Sequence, residues 1–223
     1  MKPALLFLAG LLLWPQEAPQ KGTTRPRPLI GADAALRRFE LPPEPFEWTL
    51  APRADADGTK SFDLTFPSAV KSDIDENNTV WCRVWMPKEA TTTPRPAVLM
   101  LHYLRGTFSP MEAAGRFFAA RGFVAVLLYM PHYGRRRSAD PEKRRYMIGD
   151  DVEGTVANFR QAVLDVRRAG DWLASLKGVD PTRIGLFGVS MGAMVGALVA
   201  GVDGRFTRTV IVRYRPSSFG FAE

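Results

Sequence analysis

A chain of 223 residues is long enough for one sizeable α/β domain with some extra chain, or for two small domains. Its 46% hydrophobic and 24% charged residues are an ordinary globular composition, which argues against a fibrous or disordered protein. The formal net charge of +7 raises the question of an anionic partner. Much of that charge lies in residues 134–146 (GRRRSADPEKRRY), where base-stacking aromatic side chains are not interleaved. We therefore expect no nucleic-acid partner and interpret the segment as a solvated basic loop, with an anion contact as the alternative.

Residues 1–20 (MKPALLFLAGLLLWPQEAPQ) differ from the rest of the chain. A basic start at Lys2 precedes an apolar run over 4–14 and a polar tail, which is the outline of a secretory signal peptide. The run is too short to span a bilayer comfortably, and no cysteine follows it that could carry a lipid anchor. We expect a secreted or periplasmic protein. The alternative is an uncleaved N-terminal anchor that keeps the protein close to the membrane.

The first half of the chain predicts a linker followed by antiparallel strands. Residues 21–47 are rich in Pro, Arg and Thr and are predicted to be a linker that leads into a domain spanning 48–223. Residues 61–68 and 79–87 alternate apolar and polar side chains, as antiparallel strands do. Cys82, the single cysteine, lies in the second of these strands. It excludes an internal disulfide or a multi-cysteine metal site, and we expect a buried, inert thiol. Residues 77–79 (NNT) form a glycosylation sequon.

The second half of the chain alternates buried strands with helices. Apolar runs predict strands over 97–102, 123–131, 183–188 and 207–214. Ser109, with Glu112 three residues later, predicts a capping box at the start of one helix, and Thr155 is a plausible N-cap for another. The second helix places its apolar face on Phe159, Ala162, Val163, Val166, Ala169 and Leu173. A third helix follows Ser190. This order predicts an α/β fold with a doubly wound, mostly parallel sheet.

Residues 188–192 (GVSMG) form a Gly-x-Ser-x-Gly pattern directly after a predicted strand and at the start of a predicted helix. This is the context of a nucleophile elbow, in which a strained turn presents the serine hydroxyl and small neighbours let strand and helix approach closely. Ser190 is thus the candidate nucleophile. The N–H of Met191, at the helix N-terminus, is a candidate oxyanion donor. The alternative is a serine that only caps a helix in a glycine-rich turn.

A second oxyanion donor is expected in the loop after the strand at 97–101. Residues 102–107 (HYLRGT) occupy that place, and the N–H of Leu104 is the first candidate, with Tyr103 next. We expect His102 to brace this loop by hydrogen bonds rather than to act as a base. His102, Tyr103 and His132 are the predicted pocket-lining residues. No metal ligands and no cofactor are predicted.

Residues 96–213 resemble the α/β-hydrolase superfamily, especially its dienelactone-hydrolase and acetyl-xylan-esterase-like branches. The resemblance is carried by residues 165–193 (DVRRAGDWLASLKGVDPTRIGLFGVSMGA), and also by residues 129–137 (YMPHYGRRR). It covers the N-terminal two thirds of that fold. The resemblance implies hydrolysis of a small-molecule or glycan ester by a Ser–Asp/Glu–His triad without a cofactor.

The sequence departs from this pattern after Ser190. In this fold the triad acid and then the histidine follow the serine in chain order, but only Glu223 and no histidine follow the last predicted strand. We expect a hydrolase chain that is truncated at its C-terminus and has lost the triad acid and histidine. Truncation would leave the strand at 207–214 as an exposed apolar sheet edge. The alternatives are a base supplied by His102 or by His132, or a complete but non-catalytic relative.

Two functions from different classes remain at this point. The first is a serine hydrolase that forms an acyl-enzyme on Ser190. The second is a binding protein that uses the same pocket or the loop at 134–146, with Arg135, Arg136 and Arg137 as its contacts. The position of His132 is relevant to the hydrolase function, because a base must reach Ser190. The strand before His132 should lie two strand spacings, roughly 10 Å, from the elbow strand. We therefore expect His132 to line the pocket or to pack locally rather than to complete a dyad.

Overall fold

One mixed sheet with helices on both faces forms the body of the chain. The computed structural model describes residues 18–29, 34–56, 58–89, 91–104 and 108–213. The predicted signal peptide, apart from its last three residues, and the tail from 214 onward lie outside the described residues. The strands are β1 (Gln20–Thr24), β2 (Phe46–Ala56), β3 (Thr59–Pro67), β4 (Thr79–Pro87), β5 (Arg95–Leu101), β6 (Val124–Leu128), β7 (Val179–Val189) and β8 (Phe206–Val212). The helices are α1 (Ser109–Ala119), α2 (Val152–Ser175) and α3 (Met191–Val202).

The eight strands lie in the order β1-β2-β3-β4-β6-β5-β7-β8. Strands β1 to β4 form an antiparallel series, and β4 also pairs antiparallel with β6. The parallel pairs are β5 with β6, β5 with β7 and β7 with β8. The α/β class is therefore confirmed, and the sheet is mixed, with all its parallel pairs formed among strands β5 to β8. The parallel strands align their carboxyl ends at one edge, the edge where open α/β sheets bind ligands.

Two apolar layers lie on opposite faces of the sheet. In β6, Val124, Val126 and Leu128 face the layer under α2 and α3, whereas Ala125 and Leu127 face the layer under α1. All five side chains are fully buried. A strand buried on both faces needs an unbroken apolar sequence, which is why runs without alternation predicted these strands.

The segment predicted as a linker contributes to the fold. Residues 20–24 form β1, and β2 begins at Phe46, before the expected domain boundary at 48. Among the described residues between them, Phe39 and Arg27 contact α2, because their carbonyls accept hydrogen bonds from Arg167. Local composition gave no sign of this packing because the partners lie more than 120 residues away. Helix α2 is buried from Gln161 to Leu173, beyond its apolar face, because other segments contact it as well. The Pro67 carbonyl accepts a hydrogen bond from Arg168, and Ser68 donates one to Asp165.

Both predicted helix caps are wrong. Helix α1 has Phe108 at its N-cap without a side-chain capping bond, and Ser109 is its first residue. The Glu112 carboxylate points instead toward Arg83, 3.7 Å away. Helix α2 begins at Val152, so Thr155 lies inside its first turn, and its hydroxyl accepts a hydrogen bond from the Gly149 N–H. In both cases the hydroxyl lies on the first turn of the helix rather than before it.

Strand β8 is the last strand in the sheet order and pairs with β7 alone among the described strands. Val210 and Ile211 on this strand are 52% and 55% exposed. Among the described residues, this edge of the sheet is therefore apolar and exposed. Within the described residues, no helix is long and apolar enough to cross a bilayer.

Candidate active site

Ser190 occupies the sharp turn between β7 and α3. Its backbone has φ 52° and ψ −112°, a conformation that residues other than glycine rarely adopt. Among the described residues, only His132 is a second non-glycine residue with positive φ. Such strain persists where the surroundings enforce it, and it is concentrated at functional sites. The elbow predicted from the sequence is therefore present in the backbone.

Two glycines make this turn possible. A Cβ atom on Gly188 would collide with the Gly192 carbonyl and would come within 2.9 Å of the Ala193 Cα. A Cβ atom on Gly192 would collide with the Leu101 carbonyl and lie 2.7 Å from that of His102. The strand, the helix and the end of β5 thus approach each other closely enough that only glycine fits at both positions. The pattern Gly-x-Ser-x-Gly follows from this packing.

Main-chain bonds hold the elbow in place. The Ser190 N–H donates to the Val212 carbonyl of β8 at 2.8 Å, and the Ser190 carbonyl accepts from the Ala193 N–H at 2.9 Å. Met191 is the first residue of α3, where backbone N–H groups have no partner within the helix. Leu104 is exposed in the loop after β5, and residues 105–107 that follow it lie outside the described residues. The N–H groups of Met191 and Leu104 remain the predicted oxyanion donors.

His102 connects the ends of β5 and β6. Its Nε2 accepts a hydrogen bond from the Met130 N–H at 3.1 Å, so Nδ1 carries the proton and donates to the Tyr103 carbonyl at 2.9 Å. The ring is 2% exposed, and burial lowers its pKa to about 4. With both nitrogens occupied, this imidazole braces the loop and cannot accept a proton from Ser190 without losing a bond.

His132 lies in a separate polar hollow of about 440 Å³ beside the start of α2. Its Nε2 lies 3.0 Å from Oδ1 of Asn158, and its backbone N–H donates to Oδ1 of Asn77 at 3.2 Å. Burial lowers the pKa of His132 as well. Strand β5 separates β6 from β7, so the strands that precede His132 and Ser190 are two spacings apart, roughly 10 Å. Ser190 does not line this hollow, and His132 packs locally.

Asn77 is fully buried between the β6–α2 connection and α2. Its side-chain nitrogen donates to Oε1 of Gln161 at 3.0 Å and to the Ser72 hydroxyl at 3.3 Å, while its oxygen accepts from the His132 N–H. The carboxamide of the predicted sequon is therefore part of the interior.

Arg136 and Asp165 form a buried ion pair that the sequence interpretation missed. Both side chains are inaccessible to solvent, and Nη2 of Arg136 lies 2.8 Å from Oδ2 of Asp165. The guanidinium also donates to the carbonyls of Asn77 and Tyr129. Burial raises the pKa of Asp165, and the charge of Arg136 counteracts this effect. The solvated-loop interpretation is wrong for Arg136, because an arginine run carries no signal of which member turns inward.

The two arginines that flank Arg136 in the basic segment remain at the surface. Arg137 is exposed, and the guanidinium of Arg135 lies 4.5 Å from the Trp81 ring centroid. Cys82 is buried and unpaired, and burial raises the pKa of its thiol, as predicted for an inert cysteine. The described residues contain no group of three or more His, Cys, Asp or Glu side chains that could hold a metal ion.

Known structures with a similar fold include acetyl xylan esterases. The fold matches a candidate acetyl xylan esterase from Bacteroides fragilis with a TM-score of 0.63 and 16% identity, covering 78% of this chain and 50% of that one. An acetyl xylan esterase from a Paenibacillus species gives a TM-score of 0.56 and 20% identity, over 78% of this chain and 54% of the other. These likenesses establish the α/β-hydrolase fold. The chain spans about half the length of these structures.

Sequence comparison gives the family. An uncharacterized protein of Mycobacterium tuberculosis is 30% identical over 114 residues, which are 49% of this chain and 27% of that protein. Residues 82–217, more than half of the chain, match the Dienelactone hydrolase family, and this range includes both the elbow and the loop at 102–104. The chain therefore belongs to the dienelactone hydrolase family.

Proposed function

We propose that Ser190 is the nucleophile of an ester hydrolase that works through an acyl-enzyme. The observation that carries this proposal is the strained Ser190 backbone, held between two glycines that leave no room for a Cβ atom. A serine that merely caps a helix needs no positive φ, since N-cap residues have extended backbones. The same turn sets the hydroxyl at the N-terminus of α3, where backbone dipoles favour a developing oxyanion.

The reaction would proceed in two steps. The Ser190 oxygen attacks the ester carbonyl and loses its proton to a base, and the collapse of the tetrahedral intermediate releases the alcohol and leaves an acyl-serine. Water then attacks the acyl-serine, which releases the acid and regenerates the hydroxyl. In both steps the N–H groups of Met191 and Leu104 would stabilise the oxyanion.

We propose that the described residues do not supply the general base of this mechanism. His102 and His132 are the two histidines of the sequence, and each has hydrogen-bond partners away from Ser190. We propose that neither serves as the triad base and that the triad acid and histidine are not among the described residues. A serine without its base retains the oxyanion and binding contributions, so this chain should act about 10⁴–10⁶-fold more slowly than a full triad.

The names of similar structures, rather than the pocket, support a proposal for the substrate class. The similar structures include acetyl xylan esterases and a glucuronoyl esterase from Solibacter usitatus, which matches with a TM-score of 0.54, 17% identity and coverage of 83% of this chain and 53% of that one. Their names suggest an ester whose alcohol or acid part is a sugar. We propose a small-molecule or glycan ester as the substrate.

A fluorophosphonate probe tests the nucleophile. The probe reacts covalently with the serine hydroxyl of a nucleophile elbow. The wild-type chain should be labelled, but slowly because Ser190 lacks its base, and Ser190→Ala should not be labelled. Ser109→Ala is the matched control, because Ser109 also lies at a helix start but is exposed on α1 with ordinary helical backbone. Labelling that persists undiminished in Ser190→Ala would refute the assignment. Tandem mass spectrometry of the labelled peptide identifies the residue directly.

A further inference from the structure

Helices α2 and α3 form an apolar groove that is open to solvent among the described residues. Its volume is about 630 Å³, and Val156, Met194 and Leu198 are among the apolar side chains that line it. These side chains are 56%, 54% and 42% exposed. Helix α3 contains no charged residue over its 12 positions, so nothing on it keeps this face hydrated. Contiguous apolar patches on a soluble protein mark interaction sites more often than chance.

The rim of the groove carries charges of opposite sign at its two ends. Glu153 lies at one end and Arg160 at the other, on the same face of α2 because seven residues make about two helical turns. Arg160 is held there by a 2.7 Å hydrogen bond from its Nε to the Arg38 carbonyl. Arg38 extends the positive end of the rim.

This arrangement is complementary to itself. Glu153 and Arg160 are equally distant, about 5 Å along the helix axis, from the midpoint between Val156 and Ala157. A two-fold axis through that midpoint would set a second α2 antiparallel to the first. Each Glu153 would then be level with the partner's Arg160, and the exposed side chains of Val156 and Leu198 would be covered. An isologous interface requires such a patch, in which the same surface meets itself.

We propose that the groove between α2 and α3 joins two copies of this chain in a two-fold symmetric dimer. The apolar wall supplies the area removed from water, and the two Glu153–Arg160 pairs fix the antiparallel register. This proposal does not depend on Ser190 acting as a nucleophile.

A charge-swap experiment tests the dimer on the full chain. Size-exclusion chromatography with light scattering, and sedimentation equilibrium for the dissociation constant, should show that wild type dimerises. Glu153→Arg would place two arginines opposite each other, and Arg160→Glu two glutamates, so each variant alone should dimerise about tenfold or more weakly. An equimolar mixture restores both attractive pairs and should form a heterodimer at wild-type affinity. Because the mixture uses the same two variant chains, its recovery also shows that both are folded.

Arg208→Glu is the matched control. It reverses an exposed arginine on β8, away from the groove, and should leave the dimer intact. A monomeric wild-type chain at concentrations of about 100 µM would overturn the proposal. Single variants that dimerise as wild type does, or a mixture that fails to recover, would overturn it equally. A dimer lost only in Arg208→Glu would place the contact on the β8 edge and reject the groove.

Discussion

At the scale of single residues, His102 is a neutral imidazole with two fixed hydrogen bonds. Its pKa of about 4 in the folded chain lies well below the ordinary value of 6.5. Between these values the unfolded chain binds a proton that the folded chain does not bind. The contribution of His102 to stability is therefore complete above pH 6.5 and decreases as the pH falls toward 4.

This linkage gives a testable pH dependence. The free energy of unfolding of wild type should fall by about 3 kcal/mol more than that of His102→Gln between pH 7 and pH 4. Glutamine offers a donor and an acceptor but does not titrate, and His132 is present in both proteins, so its own titration cancels. Urea unfolding at several pH values measures the difference. Parallel pH profiles of the two proteins would show that His102 is not held neutral.

The residues of the elbow could be predicted from the sequence, and the ion pair of Arg136 could not. Gly188, Ser190 and Gly192 lie within five consecutive positions of one turn, so their spacing alone expresses the packing constraint. Arg136 and Asp165 are 29 positions apart, and Arg136 sits between two other arginines. Nothing local distinguishes Arg136 from Arg137. Only the fold decides which guanidinium enters the interior.

At the scale of elements, the buried ion pair of Arg136 and Asp165 joins the connection after β6 to α2. Arg136 lies in a short 3-10 turn over Gly134–Arg136, and Asp165 lies in the buried middle of α2. Ser68, next to β3, donates a hydrogen bond to the same carboxylate at 2.7 Å. The segment after β3, the connection after β6 and helix α2 thus meet at the Asp165 carboxylate.

Removing one partner of this pair should be costly. Arg136→Met would leave the Asp165 carboxylate buried without its counter-charge and should lower the free energy of unfolding by about 3–5 kcal/mol. Arg137→Met is the matched control, since Arg137 is exposed, and it should change stability by less than about 0.5 kcal/mol. The double variant Arg136→Met/Asp165→Leu should recover much of the loss. Equal stability of the two single arginine variants in urea would contradict the role of the pair.

Prediction of elements succeeded where one segment contained the signal. The strands β5 to β8 and the buried face of α2 follow from apolar runs and helical spacing. Strand β1 was not predicted, because Gln20–Thr24 is a polar segment and its pairing with β2 depends on residues more than 20 positions later. The predicted positions of the helix caps were wrong by one to four residues. On that scale, backbone geometry rather than sequence determines where the first turn begins.

At the scale of the whole molecule, β8 is an edge strand of the sheet that the described residues form. Outward-facing N–H and C=O groups at a sheet edge can pair with another chain, and the exposed Val210 and Ile211 make such pairing favourable. The antiparallel strands at the other end of the sheet are shielded differently, because β1 is short and polar.

A charge on this edge should reduce aggregation. Ile211→Lys should lower the rate of turbidity growth on mild heating, because a charged side chain discourages edge-to-edge pairing. Phe117→Lys serves as the control. Phe117 is 51% exposed on α1. Its replacement by lysine removes a comparable apolar surface without changing a strand edge. If both variants suppress turbidity equally, general surface hydrophobicity rather than the β8 edge drives the association.

The buried carboxamide of Asn77 has a consequence for making this protein in eukaryotic cells. Oligosaccharide transfer modifies sequons on a chain that has not yet folded, so it would act before Asn77 reaches its partners. A sugar chain attached there could not enter a site where every side-chain polar atom of Asn77 is already bonded to Ser72, Gln161 or His132. Glycosylation and folding are therefore mutually exclusive at this residue. A bacterial host avoids the conflict, and in a eukaryotic host replacing Thr79 by alanine would remove the sequon while leaving the buried amide in place.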